Sequence, residues 1–309
     1  MSKAYDQKLE AIAGLRFLPD AAAAEEPLRK FLRKDKSNYV VSKAASVAGE
    51  MNLRVLVPDL VDAFDRFLLD AAKSDPQCWA KIAIIKSLKD LGHDDAAVYL
   101  RGMAHVQHEP VWGGTADTAG PLRGASCLAL CSCSLPRLEI LTRVVDLLAD
   151  PEKQVRADAV TAVAQFPGSD TELLLRVKAL AGDKEEMVVG QCFTALLAIA
   201  PRESIPFVAR FLEVKGETAS EAAAALGACP EERAVQVVLD RFASEKNPDL
   251  RRVILLSLGG SRLWAAAEFL VSIVAKGRDN EAVIAREALA ASRFHDDERV
   301  REALTPSRR

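Results

Sequence analysis

The sequence predicts an all-α protein, a right-handed α-solenoid of about eight helix pairs. Three observations favour this fold class. Apolar residues amount to 50% of the 309 residues and aromatic ones to only 6%, a composition that suits closely packed helices better than sheets. A helical apolar pattern recurs at nearly constant intervals. Capping and turn-forming residues fall between its copies, where helix–turn–helix units need them.

The recurring pattern marks one helix in each unit. Its clearest copy is LADPEKQVRADAVTAVAQF, which places Val155, Ala159, Val160 and Val163 on one helix face. Related copies start at Leu122, Val188, Ala219, Leu250 and Val283. With Val155 included, the starting points lie 33, 33, 31, 31 and 33 residues apart. A second apolar helix precedes each copy, so the sequence predicts helix pairs whose first helices line a convex surface and whose second helices line a concave one.

Local signals predict where individual helices begin and how closely they pack. Pro151 and Pro248 are expected to open second helices, with Asp150 and Asn247 as their caps. Upstream, VPDLVDAFDRFLLDAAK predicts one long first helix, and looser copies of the pattern surround Val40 and Trp79. Alanine, serine and glycine are common on the second helices, which predicts that neighbouring second helices approach closely.

The figure D-P-x-x-x-V-R-x-x-A-V at Asp150–Val160 resembles the HEAT repeat, in particular the bacterial HEAT-like or phycobilisome-lyase-type variety. The resemblance covers roughly residues 24–304. Two repeats depart from it, because Val189 and Ser220 replace the arginine found at Arg123, Arg156 and Arg251. A segment of the form WGG…DTA…LRG is also similar to one in bacterial HEAT-repeat proteins. The resemblance implies a solenoid fold and leaves the activity open.

One interval is too long for the regular unit. Trp79 and Leu122 lie 43 residues apart, so we interpret 1–309 as a single solenoid with an inserted loop at 104–118 in the third repeat. The insert, HEPVWGGTADTAGP, places Trp112 where no helical register can bury it. Tryptophan is frequent at interface hot spots. The alternative is structural: Trp112 folds back over the third repeat, and Asp117 or Thr118 caps its second helix.

Basic residues recur early in the second helices, at Lys81, Arg123, Arg156, Arg251 and Arg286. In HEAT-like repeats such an arginine usually pairs with an aspartate of an adjacent turn, and Asp150, Asp183, Asp249 and Asp279 are available. The competing interpretation is an electropositive groove for phosphate or acidic peptides. The candidate partner-binding residues are Trp112, His108, Glu109, Arg123, Arg156, Trp79 and Lys81.

The cysteines and histidines permit a metal site but favour a structural interpretation. Cys127 and Cys131 stand four residues apart, and His105 with His108 could complete a ligand set. Cys127, however, aligns with the core position Val160, and Cys192 and Cys229 also stand where small apolar residues belong. We therefore expect core thiols, no metal and no cofactor.

The overall charge balance favours neither nucleic acid nor an anionic membrane as a partner. Six basic residues lie within the run LRKFLRKDKSNYVVSK, namely Arg29, Lys30, Arg33, Lys34, Lys36 and Lys43. One interpretation of this run is contact with nucleic acid or an anionic surface. A solvated helix face is the usual role of such a run, and 41 basic against 44 acidic residues give the chain a net charge of −3. The N-terminus has no signal-peptide core and no apolar run is long enough to span a membrane, so we expect a cytoplasmic protein.

No nucleophile elbow, phosphate-binding glycine loop or H-E-x-x-H motif occurs in the sequence. The leading hypothesis is therefore a non-catalytic scaffold that binds a protein or peptide through its concave face and the 104–118 insert. Two alternatives stay open. One is a nucleic-acid-binding protein related to the HEAT-like alkylpurine DNA glycosylases. The other is a bilin lyase or chromophore chaperone, which the repeat name alone suggests.

Overall fold

The computed structural model describes residues 3–276 and 280–305. Asp279 lies outside these residues. It is one of the aspartates expected to pair with the recurring basic residues of the second helices, here called the basic ladder (Lys81, Arg123, Arg156, Arg251 and Arg286). Over the described residues the chain is all-α apart from one β-hairpin, which confirms the predicted fold class. The chain divides into two compact units, Met1–Gln165 and Phe166–Arg309.

The first unit consists of four helix pairs, one additional N-terminal helix and one single-turn helix, counted over the described residues. Its helices are α1 (Lys3–Leu15), α2 (Glu25–Lys34), α3 (Asn38–Glu50), α4 (Val57–Leu68), α5 (Ala71–Ser74), α6 (Trp79–Asp90), α7 (Ala96–Met103), α8 (Gly120–Leu130), α9 (Arg137–Val144) and α10 (Lys153–Ala164). The strands β1 (His108–Val111) and β2 (Gly114–Asp117) lie between α7 and α8. The pairs are α2/α3, α4/α6, α7/α8 and α9/α10, and the second helices α3, α6, α8 and α10 pack side by side in one layer.

The second unit repeats the same arrangement. Its helices are α11 (Ser169–Ala181), α12 (Glu186–Ile199), α13 (Pro201–Ala209), α14 (Glu217–Ala228), α15 (Glu232–Ser244), α16 (Pro248–Gly259), α17 (Trp264–Lys276), α18 (Asn280–Ala290) and α19 (Glu298–Leu304). Within it α12, α14, α16 and α18 form the layer of second helices.

The apolar pattern predicts the buried helix faces correctly except in the last copy, where the buried face is shifted by one residue. Val155, Leu122 and Val188 are completely buried, as predicted. Val283, the start of the last copy, is exposed instead, and its neighbours Ala282 and Ile284 are buried. The helix around Val283 is rich in alanine, so its apolar residues allow more than one choice of buried face.

Two expectations about helix ends hold and three fail. Asn247 caps α16 by accepting a hydrogen bond from the Asp249 N–H at 2.9 Å, and Pro248 opens that helix. Asp150 accepts a hydrogen bond from the Glu152 N–H at 2.8 Å, but Glu152 is itself the N-cap of α10, so Asp150 lies in the preceding turn and does not cap the helix. Pro151 likewise precedes α10 by two residues. The predicted long helix after Val57 ends at Leu68.

The break after α4 has a local cause. Asp70 adopts the left-handed conformation, with φ of 48°, and a residue there cannot continue a right-handed helix. The chain then makes the single turn of α5 and reaches Asp75, whose carboxylate accepts hydrogen bonds from the Ala80 and Lys81 N–H groups of α6 at 2.9 and 3.0 Å. The break therefore places Asp75 at the N-terminus of α6.

Small residues do allow the second helices to approach closely. At Gly259 of α16, an added Cβ would lie only 2.8 Å from both the Cβ and the backbone oxygen of Ala288 on α18. Contact at this distance leaves no room for a side chain, so the spacing of these two helices depends on glycine.

Candidate partner-binding surface

The insert is a β-hairpin rather than a loop. β1 and β2 pair antiparallel, with His108 opposite Asp117 and Val111 opposite Gly114. Trp112 and Gly113 form the turn, and Gly113 has φ of 87°, a conformation that strongly favours glycine. Gly113 thus allows the chain to reverse and places Trp112 at the tip of the hairpin.

The tip is the most exposed apolar point among the described residues. The Trp112 side chain has a relative exposure of 103%, and the adjacent Val111 is half exposed. The packed alternative for Trp112 is therefore wrong: the ring does not fold back over the third repeat. An uncovered indole loses the hydrophobic free energy that burial would supply, which is why such rings concentrate at contact surfaces.

The base of the hairpin is tied to the repeat core by the carboxylate of Glu109. Its Oε1 atom accepts hydrogen bonds from the Gln77 N–H at 2.6 Å, from Gln107 Nε2 at 2.6 Å and from Thr118 Oγ1 at 2.5 Å. Gln77 belongs to the turn that leads into Trp79. The segment that carries one exposed tryptophan is thereby bonded to the hairpin that carries the other.

Arg123 forms the second attachment of the hairpin. Its Nη1 donates to Asp117 Oδ2 at 2.6 Å and to the His105 carbonyl oxygen at 3.0 Å. The Nε and Nη2 atoms donate to the two carboxylate oxygens of Asp150, at 2.7 and 2.9 Å. This single buried guanidinium therefore joins the hairpin to the turn before α10.

The pKa values of both hairpin carboxylates are lowered. Burial by itself raises the pKa of Glu109, but the hydrogen bonds from Thr118, Gln107 and Gln77 and the charge of Lys81 outweigh it. Burial also acts to raise the pKa of Asp117, and the N–H groups of Gln107 and Ala119 together with Arg123 outweigh that effect. Both carboxylates are held in their ionised form by the contacts that hold the hairpin.

Lys81 is buried rather than presented to a partner. Its side chain and that of Asp75 are both 0% exposed, with Lys81 Nζ 3.0 Å from Asp75 Oδ2. Lys81 Nζ also donates to the Phe67 carbonyl oxygen at 3.2 Å. Of the candidate binding residues, Lys81 therefore belongs to the interior.

Two further members of the basic ladder, Arg156 and Arg251, also bind the neighbouring turns. Arg156 is buried and donates to the carbonyl oxygens of Asp150 and Pro151 at 2.8 and 2.9 Å. Arg251 binds Glu281 at 2.5 Å, and Arg286 is half buried on α18. The structural interpretation of the ladder is confirmed at Arg123, where the predicted aspartate Asp150 is the partner. The burial of Lys81, Arg123 and Arg156 corrects their assignment to a binding surface.

The thiols occupy core positions. Cys127 and Cys192 are completely buried and Cys229 nearly so, as predicted. Burial raises the pKa of Cys131 and Cys192 to about 12, so these thiols are protonated at neutral pH. Among the described residues, no group of three or more histidine, cysteine or acidic side chains is placed to hold a metal ion.

Trp79, Tyr39 and a groove between α3 and α6 form a second surface feature. Trp79 is 46% exposed, and its ring centroid lies 5.6 Å from that of Tyr39, which itself stacks on Tyr5. The groove beside the rings has a volume of about 440 Å³. Its charged lining residues are Lys43, Glu50, Lys86 and Asp90.

Sequence analysis singled out Trp79 and Lys43 but missed the groove as a unit. Tyr39 and Trp79 occupy equivalent positions in neighbouring repeats, 40 residues apart, and so do Glu50 and Asp90. Comparison of aligned second helices, residue by residue, could have found these pairs.

The basic run before α3 is partly neutralised. Arg29 and Arg33 both bind the buried carboxylate of Asp59, Arg29 at 3.2 Å. Asp35, the acidic residue within the run, binds Lys8 at 2.7 Å. These ion pairs favour the structural interpretation of the run.

The second unit has an apolar stripe that sequence analysis did not identify. Leu173, Val177 and Leu180 of α11 are all exposed, and their spacing places them on one helix face. The three consecutive leucines at 173–175 are the signal for it, because a helix can bury only part of such a run.

Comparisons with known proteins add little to this picture. No model of a known protein family matches the chain, and no curated protein matches it in sequence. Among solved structures, it is similar to the complex of CpcE and CpcF of phycocyanin lyase from Nostoc sp. PCC7120, with 16% identity, a TM-score of 0.38, and coverage of 75% of this chain and 89% of that one. A TM-score of this size carries no argument about activity. Within residues 3–276 and 280–305, no helix is both long and apolar enough to cross a bilayer.

Proposed function

We propose that the protein is a non-catalytic scaffold that binds a protein partner through the β-hairpin at 108–117 and the neighbouring layer of second helices in the first unit. The observation that carries the proposal is the position of Trp112, fully exposed at the tip of a hairpin whose base is anchored. A rigid support lowers the entropy that a contact residue loses on binding.

The anchoring contacts explain why the exposed ring is held in a defined place. Glu109 receives three hydrogen bonds at the first strand, and Asp117 receives bonds from Gln107, Ala119 and Arg123 at the second. None of these contacts covers the indole. They instead support a short two-stranded ribbon, which by itself would be marginally stable in water.

His108 and Glu109 take different parts in this proposal. His108 is exposed on β1 and contributes to the surface beside the tip, whereas Glu109 is committed to the anchoring network. Of the candidate residues, Trp112, His108 and Trp79 are therefore the ones assigned to partner contact.

The experiment compares capture of proteins from an extract of the source cells by the wild type, Trp112→Ala and Phe17→Ala. Phe17 is a matched control because it is also an exposed aromatic residue, 84% exposed after α1. We expect one set of partners to be lost with Trp112→Ala and kept with Phe17→Ala. With the purified partner, the expected loss of affinity is about 30-fold or more, as for a hot-spot tryptophan. Equal capture by the wild type and Trp112→Ala would overturn the proposal.

A further inference from the structure

We propose that the groove between α3 and α6 binds an extended peptide segment that presents an apolar or aromatic residue, then acidic residues, then a basic residue. The inference rests on the proposed function, because the peptide segment would belong to a protein partner. It concerns a different surface from the hairpin tip, and its chemistry can be tested without the hairpin.

The two helices run in the same direction and in register. Tyr39 lies beside Trp79 at their N-terminal ends. Near their C-terminal ends, a Cβ added to Gly49 would lie 3.1 Å from the Ser87 side chain, and Ser87 Oγ donates to the Ala45 carbonyl oxygen at 2.7 Å. Residues at equal distance from Tyr39 and Trp79 along their helices therefore lie at about the same level of the groove.

This register sorts the groove into three levels. The aromatic rings of Tyr39 and Trp79 form the first. Lys43 and Lys86 follow at roughly 6 and 10 Å along the helix axes, because they come four and seven residues later at about 1.5 Å per residue. Glu50 and Asp90 form the last level at roughly 16 Å, each eleven residues after its ring.

Both lysines of the middle level and one carboxylate of the last level are available to a ligand. Among the described side chains neither Lys43 nor Lys86 makes an ion pair within 4 Å. Lys43 makes a cation–π contact with Tyr39 at 5.0 Å, and its charge also helps to lower the pKa of Glu50. Glu50 is bound by Arg16 at 2.5 Å. Asp90 has no ion pair within the described part of the chain, so it is the carboxylate left for a cation of the ligand.

The spacing of the three levels fits an extended segment. The groove has a volume of about 440 Å³, and its levels span roughly 16 Å along the helix axes. An extended chain advances about 3.3 Å per residue. The three levels then correspond to an apolar residue at position i, acidic residues at about i+2 and i+3, and a basic residue at about i+5.

The mixed charge of the groove distinguishes a peptide from nucleic acid. A polyanion would meet the two lysines but also Glu50 and Asp90 in the same 16 Å or so. A peptide can complement each level separately, and opposite charges at fixed spacing give specificity as well as attraction.

The test uses a fluorescein-labelled synthetic peptide, Gly-Phe-Gly-Glu-Glu-Gly-Lys-Gly, with fluorescence anisotropy as the readout. We expect the full chain to bind it about tenfold or more tightly than a scrambled peptide of the same composition. The Lys43→Glu/Lys86→Glu variant should lose about tenfold in affinity and should prefer a peptide in which the two glutamates are lysines. Trp79→Ala should weaken binding by about tenfold, since the ring supplies the apolar contact.

Two variants serve as controls. Lys89→Glu changes an exposed charge of α6 outside the groove and should bind within about twofold of the wild type. Trp112→Ala should bind the peptide as the wild type does, so failure of this inference and failure of the hairpin proposal are distinguishable. Circular dichroism melting confirms that each variant is folded.

Either of two results would overturn the inference. One is equal affinity of the wild type for the ordered and scrambled peptides. The other is tighter binding of a labelled ten-nucleotide oligothymidine that Lys43→Glu/Lys86→Glu abolishes, which would make the groove a nucleic-acid site.

Discussion

Arg123 binds both carboxylate oxygens of Asp150, with Nε–Oδ2 and Nη2–Oδ1 distances of 2.7 and 2.9 Å. The remaining nitrogen, Nη1, binds Asp117 and the His105 carbonyl oxygen. The arginine is 4% exposed. One side chain thus connects a structural turn of the repeat to the hairpin that carries Trp112, so the core and the candidate surface share a residue.

Replacing Arg123 by lysine should destabilise the first unit despite the retained charge. An ammonium group cannot satisfy two carboxylates and a carbonyl oxygen in the geometry of the guanidinium. We expect a loss of about 3 kcal/mol in the free energy of unfolding, since one buried carboxylate is left short of partners. Urea unfolding followed by circular dichroism measures it.

Arg101→Lys is the matched control for Arg123→Lys. Arg101 also binds an aspartate, Asp65 at 2.8 Å, but both side chains are about half exposed. An exposed pair contributes about 0.5 kcal/mol. Equal effects of the two substitutions would show that Arg123 does not act as a buried junction.

The Lys81–Asp75 pair should be strongly coupled. Both groups are completely buried, and Asp75 also accepts the Ala80 and Lys81 N–H groups. Lys81→Met or Asp75→Asn alone should cost about 3–5 kcal/mol, because each leaves the other group buried without its charge partner. The double variant should cost clearly less than the sum of the two. Additive losses in urea unfolding would contradict the coupling.

Periodicity predicted the helices because burial of one helix face repeats in every unit. Val155 and Leu122 are buried where the pattern places them. Periodicity failed at Val283, where several alanines allowed another face, and at Asp70, where a left-handed residue ends α4 although the apolar pattern continues. At Asp70, the apolar pattern could not predict the break, because the break positions Asp75 for its hydrogen bonds to the N–H groups of α6.

The candidate surface was predicted only in part, since the insert follows no period. Trp112 was identified by its residue type, but its exposure depends on the hairpin. Val111 and Thr115 flank a short turn that contains glycine, which is a recognisable hairpin signal. The buried position of Lys81 could not be deduced in the same way, because a lysine early in a helix is compatible with either face until its partner is known.

Gly259→Ala should destabilise the second unit. The new methyl group would lie 2.8 Å from the Cβ and the backbone oxygen of Ala288, and backbone atoms cannot move aside without displacing α18. We expect a cost of about 1–3 kcal/mol, as for other overpacked interiors. The midpoint of thermal unfolding, followed by circular dichroism, measures it.

Gly14→Ala provides the opposite case. Gly14 lies in α1, and an added Cβ would have no neighbour within 4 Å. Alanine stabilises a helix relative to glycine by about 0.5–1 kcal/mol. A rise in stability for Gly14→Ala together with a loss for Gly259→Ala separates the packing effect from helix propensity, whereas a gain for both would disprove the close contact.

Attachment of the hairpin should weaken in acid before the helical core does. The pKa values of Glu109 and Asp117 lie below their ordinary values of 4.5 and 3.8 in the folded protein. A lowered pKa means that the folded state prefers the ionised carboxylate. The resulting stability is complete above the ordinary values and is lost as the pH falls through the lower folded values. A neutral carboxyl group accepts weaker hydrogen bonds from the Gln77 and Gln107 N–H groups than a carboxylate does.

Hydrogen exchange measures this effect at individual amides. We expect protection of the Gln77 N–H, bound by Glu109, and of the Gln107 N–H, bound by Asp117, to hold at pH 5. It should be lost only as the pH falls below the ordinary carboxyl values, 4.5 for Glu109 and 3.8 for Asp117. Amides of α10 are the internal reference and should stay protected over the same range. In Glu109→Gln, the Gln77 N–H should already exchange faster at pH 5, while the Gln107 N–H keeps its acid transition. Simultaneous loss at the hairpin and in α10 would mean that the hairpin does not open as a separate unit.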